Sequence, residues 1–168
     1  MPDRREVDAR PPALEASEIA MPAPGFRRPS APPTDGRDTV TTTTLQARAL
    51  TPTFTVNDIK KSLEFYKNLG FAVAEEWKQE GQLRGVMLEA GGASMGLSQD
   101  DFSKGRDRMK GVGVRLHLET VQDVEALARQ AKAAGVKLDG EPGPLPWGPI
   151  GFSVTDPDGF KLTISKPE

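Results

Sequence analysis

Two stretches of this chain share one layout. "VNDIKKSLEFYKNLGF" begins at Val56 and "VQDVEALARQAKAAGV" at Val121, and each runs valine, any residue, aspartate, then a helical pattern closing on glycine and an apolar residue. Asp58 to Gly70 is twelve positions, as is Asp123 to Gly135. Self-similarity at this scale decides the architecture to expect, because the chain must then be built from two copies of one supersecondary unit. In the first helix Ile59, Leu63 and Tyr66 fall at helical spacing, with Asn57 and Asp58 as candidate caps and Gly70 as the stop. In the second, Val124, Leu127, Ala128 and Ala131 form one apolar stripe.

Strand signals surround both helices. "ALTPTFTV" alternates ahead of the first, placing Leu50, Pro52, Phe54 and Val56 on one face and Thr51, Thr53 and Thr55 on the other. "AVAEEWKQ", "LRGVMLEA" and "ASMGLSQ" follow it as three strands, the last two joined by Gly91 and Gly92. "VGVRLHLE" precedes the second helix, and "VKLDG", "PIGFSVT" and "FKLTI" follow it. Each half therefore reads strand, helix, strand, strand, strand. The predicted fold is α+β: two βαβββ modules whose curled antiparallel or mixed sheets carry helices on the outside. Module one covers residues 47–100, a charged, Gly-bearing linker residues 101–111, and module two residues 112–166.

The turn "TDPDGF" before the last strand is tightly specified. Pro157 presets a turn dihedral, Asp158 bonds locally and Gly159 accepts positive φ, so the register of the hairpin is pinned. A slip of one residue would reverse every side chain of the strand. Phe160, Leu162 and Ile164 then face the helices, and Lys161, Thr163 and Ser165 face away. The same parity puts Ser94, Gly96 and Ser98 of the fourth strand, and Arg115, His117 and Glu119 of the fifth, on the face away from the helices. Such a hydroxyl-lined face fits either a small-molecule pocket or a solvated outer surface.

Composition bounds the rest. With 36% hydrophobic and 27% charged residues in 168, the chain suits one soluble domain. It shows no apolar run near the roughly 20 residues of a bilayer span, and its start lacks the basic head and apolar run of a secretory signal. The expected location is cytoplasmic, with no membrane partner. A net charge of -2 with interspersed signs argues against nucleic acid. Eight of the fifteen prolines precede residue 36. Residues 1–45 are expected to be a disordered tail, whether a passive extension, a docking segment or sequence upstream of a later start, and residues 46–168 the folded domain.

"FTVNDIKKSLEFYKNLGF" together with "DPDGFKLTI" resembles the vicinal oxygen chelate superfamily, also known as the glyoxalase, bleomycin resistance and dioxygenase superfamily. The resemblance runs through residues 47 to 166, on the patterns V-x-D-x-x-x-S-x-x-F-Y-x-x-L-G-F and D-P-D-G-F. It implies paired βαβββ modules, a cavity enclosed by the curled sheets, ligands bound in that cavity, and a homodimer. Enzymes of the superfamily hold a divalent metal with His, Gln or Glu on the first and last strands of each module. At those places this chain has Thr51, Gly96, Thr163 and, on the fifth strand, Arg115 if hydrophobic faces are matched or Leu116 by direct count; His117 takes the place only under a different shift.

Chemistry argues the same way. A zinc site needs three or four imidazole, thiolate or carboxylate donors, and a non-haem iron triad two histidines. This chain has one histidine and no cysteine. The expected function is therefore that of a small-molecule-binding protein with no metal and no cofactor, using Thr51, Thr53, Ser94, Gly96, Arg115, His117, Trp147 and Thr163 for its ligand. Arg115 suits a carboxylate, phosphate or carbonyl-rich ligand. Trp147 either stacks on a planar ligand or anchors its loop. The alternative is a glyoxalase-like lyase or isomerase in which His117 and Glu119 serve as acid and base or hold an atypical divalent metal.

Overall fold

The computed structural model describes residues 45–167; the expected tail lies outside them up to Thr44. Module one consists of β1 (Thr53–Val56), α1 (Ile59–Leu69), β2 (Ala72–Gln79), β3 (Gln82–Ala90) and β4 (Ala93–Gln99). Module two has β5 (Arg115–Glu119), α2 (Val124–Ala133), β6 (Gly143–Pro144), β7 (Ile150–Thr155) and β8 (Lys161–Ser165). Each module forms a four-stranded mixed sheet, ordered β1-β4-β3-β2 and β5-β8-β7-β6. The first strand pairs in parallel with the last in both, Thr53 opposite Gly96 and His117 opposite Thr163.

Each helix is capped by the aspartate of the repeat, Asp58 of the two candidates in the first and Asp123 in the second. Asp58 accepts the backbone N–H groups of Lys60 and Lys61, and Asp123 those of Glu125 and Ala126, satisfying donors that a helix start otherwise leaves free. The first helix stops at Gly70, which adopts φ 109°. No described helix is long and apolar enough to cross a membrane.

Apolar side chains from both modules merge into one core, with Phe54, Val56, Leu88, Leu97, Val154 and Leu162 all buried. Phe54 of β1 and Phe160, just before β8, stack with centroids 3.9 Å apart across the module boundary.

The tightly written turn joins the modules. Asp156 is buried, and its Oδ1 accepts the N–H groups of Asp158 at 2.9 Å and Phe160 at 2.8 Å. Its Oδ2 accepts the Tyr66 hydroxyl of α1 at 3.0 Å. Asp158 receives the Asn57 N–H at 3.1 Å and the Ser62 hydroxyl at 3.4 Å. Module two thus inserts two carboxylates at the start and flank of α1. Gly159 adopts φ 89° in this turn, and Gly111 lies so close that a Cβ there would stand 2.1 Å from the Gly159 carbonyl carbon.

Several expectations need correction. The first strand begins at Thr53, and Leu50 is 90% exposed rather than on the core face; Pro52 has no N–H, so the ladder starts with its carbonyl, which accepts Gly96 N–H at 2.8 Å. The fifth strand starts at Arg115, not Val112. The strand expected over 136–140 is reduced to a single bridge, Leu138 with Val154, and β6 comes later. Val136 is held in the helix stop by its N–H to the Ala131 carbonyl, which leaves too few residues before Pro142 for a ladder. The valines of the repeat are also not equivalent: Val56 is buried, whereas Val121 is 92% exposed. Four residues separate β5 from α2 where two separate β1 from α1, and Thr120 turns the longer connection by accepting the Gln122 N–H at 3.2 Å.

The linker is exposed over residues 103–109 as expected, but its ends are tied to buried Asp100, which bonds Phe102 N–H and Arg108 at 2.8 Å each and also pairs with Lys110.

Two consequences can be measured. Tyr66→Phe leaves a buried carboxylate oxygen without its donor and should cost roughly 1–3 kcal/mol in urea unfolding. Burial raises the Asp156 pKa, outweighing the hydrogen bonds from Phe160, Tyr66 and Asp158 that lower it. The folded protein therefore favours the protonated form more than the unfolded chain does. The stability this group contributes is full below the usual 3.8 and is lost as pH rises through the raised value. Asp156→Asn should flatten that decline relative to wild type; parallel pH curves for the two proteins would show that the group is not shifted.

Candidate functional site

Cross-strand register sorts the side chains facing away from the helices into rungs. In module one, Thr53, Gly96, Met87 and Glu75 make one rung, and Thr55, Ser98, Gly85 and Trp77 the next. In module two the rungs are Arg115, Lys161 and Thr155; His117, Thr163 and Ser153; and Glu119, Ser165 and Gly151. The opposite parity, with Leu116, Leu118, Leu162 and Ile164, packs into or against the core. This agrees with face matching on the fifth strand: Arg115 and His117 are on the open face and Leu116 is not.

The two open faces differ. In module one, Thr53 is exposed, and the Thr51 and Ser94 hydroxyls lie 3.3 Å apart. Trp77 lies across Gly85, with Cε3 only 3.1 Å from where a Cβ would stand. Bare backbone at Gly85 thus lets an indole rest on the sheet and wall one side of the face.

In module two the hydroxyls are already engaged. Thr163 is fully buried, not beneath a helix but beneath its neighbours: Arg115 Nη1 donates to its Oγ1 at 3.2 Å, and Ser153 Oγ lies 2.9 Å away. His117 Nε2 is 2.8 Å from Ser165 Oγ. The β6–β7 connection folds over this face through a turn in which Leu145 N–H meets the Pro149 carbonyl and Gly148 N–H the Leu145 carbonyl, both at 2.9 Å. It lays Leu145 Cδ1 within 2.7 Å of a notional Cβ on Gly151 and sets Trp147 edge to face with His117, centroids 5.5 Å apart. Trp147 remains 46% exposed. Ser94 and His117 also meet along a cleft of about 330 Å³ between the modules, whose apolar walls include Pro52, Phe71, Met95, Leu116 and Leu118.

The sequence candidates therefore fall into two groups. Thr51, Thr53, Ser94 and Gly96 gather on module one; Arg115, His117, Trp147 and Thr163 gather on module two. Glu119 shares the His117 face and is exposed, but among the described residues it forms no hydrogen bond to His117, whose partner is Ser165. Sequence reasoning missed Met87, Ser153 and Leu145 as site residues, and the seat of Trp77. The signal was an isolated glycine inside a strand, at Gly85 and Gly151, where another group approaches the backbone closely.

At the positions where the resemblance would put metal ligands stand two hydroxyls, Thr51 and Thr163, no side chain at Gly96 and, by face matching, the permanent cation of Arg115. Among the described residues, no three His, Cys, Asp or Glu side chains cluster as metal ligands. This donor set does not fit a divalent cation.

The family model described as glyoxalase/bleomycin resistance protein/dioxygenase superfamily matches residues 48–164. The chain belongs to this superfamily. Solved structures share the superfamily fold at low identity. One is a bleomycin-binding protein complexed with bleomycin, at 21% identity over 73% of this chain and 100% of that chain, TM-score 0.51. A bleomycin resistance determinant encoded on the transposon Tn5 shows 19% identity over 73% and 99%, TM-score 0.55. A superfamily member from Sphaerobacter thermophilus shows 25% identity over 73% and 100%, TM-score 0.54. No curated protein matches the sequence.

Gly85→Ala should displace the indole of Trp77 and cost about 1–3 kcal/mol, the usual penalty of overpacking. In a Trp147→Phe background the emission of Trp77 should shift to the red; an unchanged spectrum would mean that the indole does not lie on the strand.

Proposed function

We propose that this chain is a metal-free binding protein that holds a small organic molecule on the open faces of its sheets. The observation that carries the reading is the make-up of those faces. Two hydroxyls, a glycine and an arginine occupy the positions where a metal-dependent enzyme of the superfamily needs His, Gln or Glu, and hydroxyls with the indoles of Trp77 and Trp147 beside them are the groups that orient and cover an organic ligand. The fold shared with bleomycin-binding and bleomycin resistance proteins supports the same reading. An acid–base role for His117 and Glu119 is less well supported, because among the described residues no hydrogen bond joins the two, and His117 Nε2 pairs with Ser165 instead.

We further propose that the protein works as a homodimer. Support comes from β2, which exposes seven of its eight residues, and from Val112 and Val114, apolar side chains exposed just before β5. A second copy laid against these surfaces would turn an open face into a closed one.

Thermal melts against a panel of small molecules that includes bleomycin and planar antibiotics test the binding function. A ligand present at 100 times its Kd should stabilise the protein by about 2.7 kcal/mol, with chemical-shift changes confined to the two open faces. Changes confined to the helices, or no ligand in the panel, would count against the proposal. Sedimentation equilibrium should give twice the chain mass, and a monomer at micromolar concentration would remove the homodimer.

A further inference from the structure

We propose that the module-two face takes an aromatic carboxylate, with the acid held between Arg115 and Lys161 and the ring against Trp147 and His117. This assigns a ligand class to one of the two faces and rests on the binding function proposed above. Arg115 and Lys161 are direct neighbours in the β5–β8 register and share the open face. Two cations so placed repel each other unless an anion lies between them. Among the described residues, no carboxylate forms an ion pair with either. The near acid, Asp139, accepts the Thr155 hydroxyl at 2.9 Å instead, and Glu119 stands four residues along the strand, about 13 Å away.

The guanidinium is also positioned. Its Nη1 is used on Thr163, which is itself braced by Ser153, so Arg115 is directed across the sheet with its remaining N–H donors uncommitted to protein carboxylates. A planar fork held in this way matches the two oxygens of a carboxylate.

The rest of the face supplies the aromatic half. One same-face step along β5 leads from Arg115 to His117, a distance of about 6.6 Å, which a carboxylate and one attached ring can span. There Trp147 remains half-exposed although its loop is closed by two backbone hydrogen bonds, and Leu145 forms an apolar patch over Gly151. A large, half-exposed indole presented by a braced turn beside a cationic pair offers a stacking surface at the right remove from the charge. A neutral aromatic would leave both cations uncompensated, and an aliphatic acid would gain less from the indole.

The test is isothermal titration with four matched pairs: benzoate, phenylacetate, 2-naphthoate and 2-naphthylacetate, each against its primary amide. The acids should bind at least tenfold tighter than their amides, and affinity should fall as salt is raised from 50 to 500 mM. Arg115→Met should weaken the acids tenfold or more with little effect on the amides, and Trp147→Leu should weaken both severalfold. No acid binding better than its amide, or acids binding equally well to Arg115→Met, would overturn the inference. The amide comparison uses unaltered protein, so it decides the matter even if a variant fails to fold. Binding of uncharged or cationic molecules on the open faces, with no preference for acids, would sink this ligand class and leave the binding function standing; no ligand on either face would remove both.

Discussion

Asp156 receives hydrogen bonds from three groups in two modules: the backbone N–H groups of Asp158 and Phe160 in its own turn, and the Tyr66 hydroxyl of α1. A buried carboxylate is tolerated only when its oxygens are satisfied in this way. The same bonds that satisfy it close the turn before β8 and dock that turn on the first helix. Pro157 and Gly159 make the turn possible, and Asp158 adds a second attachment through Asn57 and Ser62. The density of turn signals in "TDPDGF" thus reflects two tasks, setting the register of the last strand and joining the halves of the molecule.

Register then governs the chemistry. Once Phe160 stacks on Phe54 and Leu162 enters the core, the period of two along β8 leaves Lys161, Thr163 and Ser165 on the other face. The partners β5 and β7 bring Arg115, His117, Ser153 and Gly151 to the same face by their own alternation. Module one obeys the same rule but ends with a different surface, because Trp77 lies over a glycine there whereas Leu145 and Trp147 cover module two. Two copies of one architecture therefore present two unlike faces, one open and walled by an indole, the other capped by a loop and cationic.

Much of this was legible in the sequence. The cap Asp58, the stop at Gly70 and the alternation of β4, β5 and β8 each express a local rule that tertiary packing does not override. The sequence failed where the connection between strand and helix differs in length between the modules or a strand is shortened. Val121 copies Val56 in the repeat, yet the longer connection after β5 turns it out to solvent, and the bond from Val136 N–H to the Ala131 carbonyl at the end of α2 removes the strand that "VKLDG" suggested. The site was half legible. Parity placed its hydroxyls, Arg115 and His117, but the approach of Trp77 and Leu145 comes from other strands and loops, and only glycines 85 and 151 marked where they would land. Parity also could not show that His117 pairs with Ser165 rather than Glu119, since both lie within its reach on one face.

The central proposal is that two hydroxyls, a glycine and a fixed cation stand where the superfamily's metal-dependent enzymes are expected to carry His, Gln or Glu, so that the face would meet an organic ligand directly. Elemental analysis of the protein purified without chelators tests this most directly. The account predicts zinc, nickel, iron and manganese well below one equivalent per chain, for the native protein and for His117→Ala alike. One equivalent of any of them in the native protein, lost in His117→Ala, would contradict it.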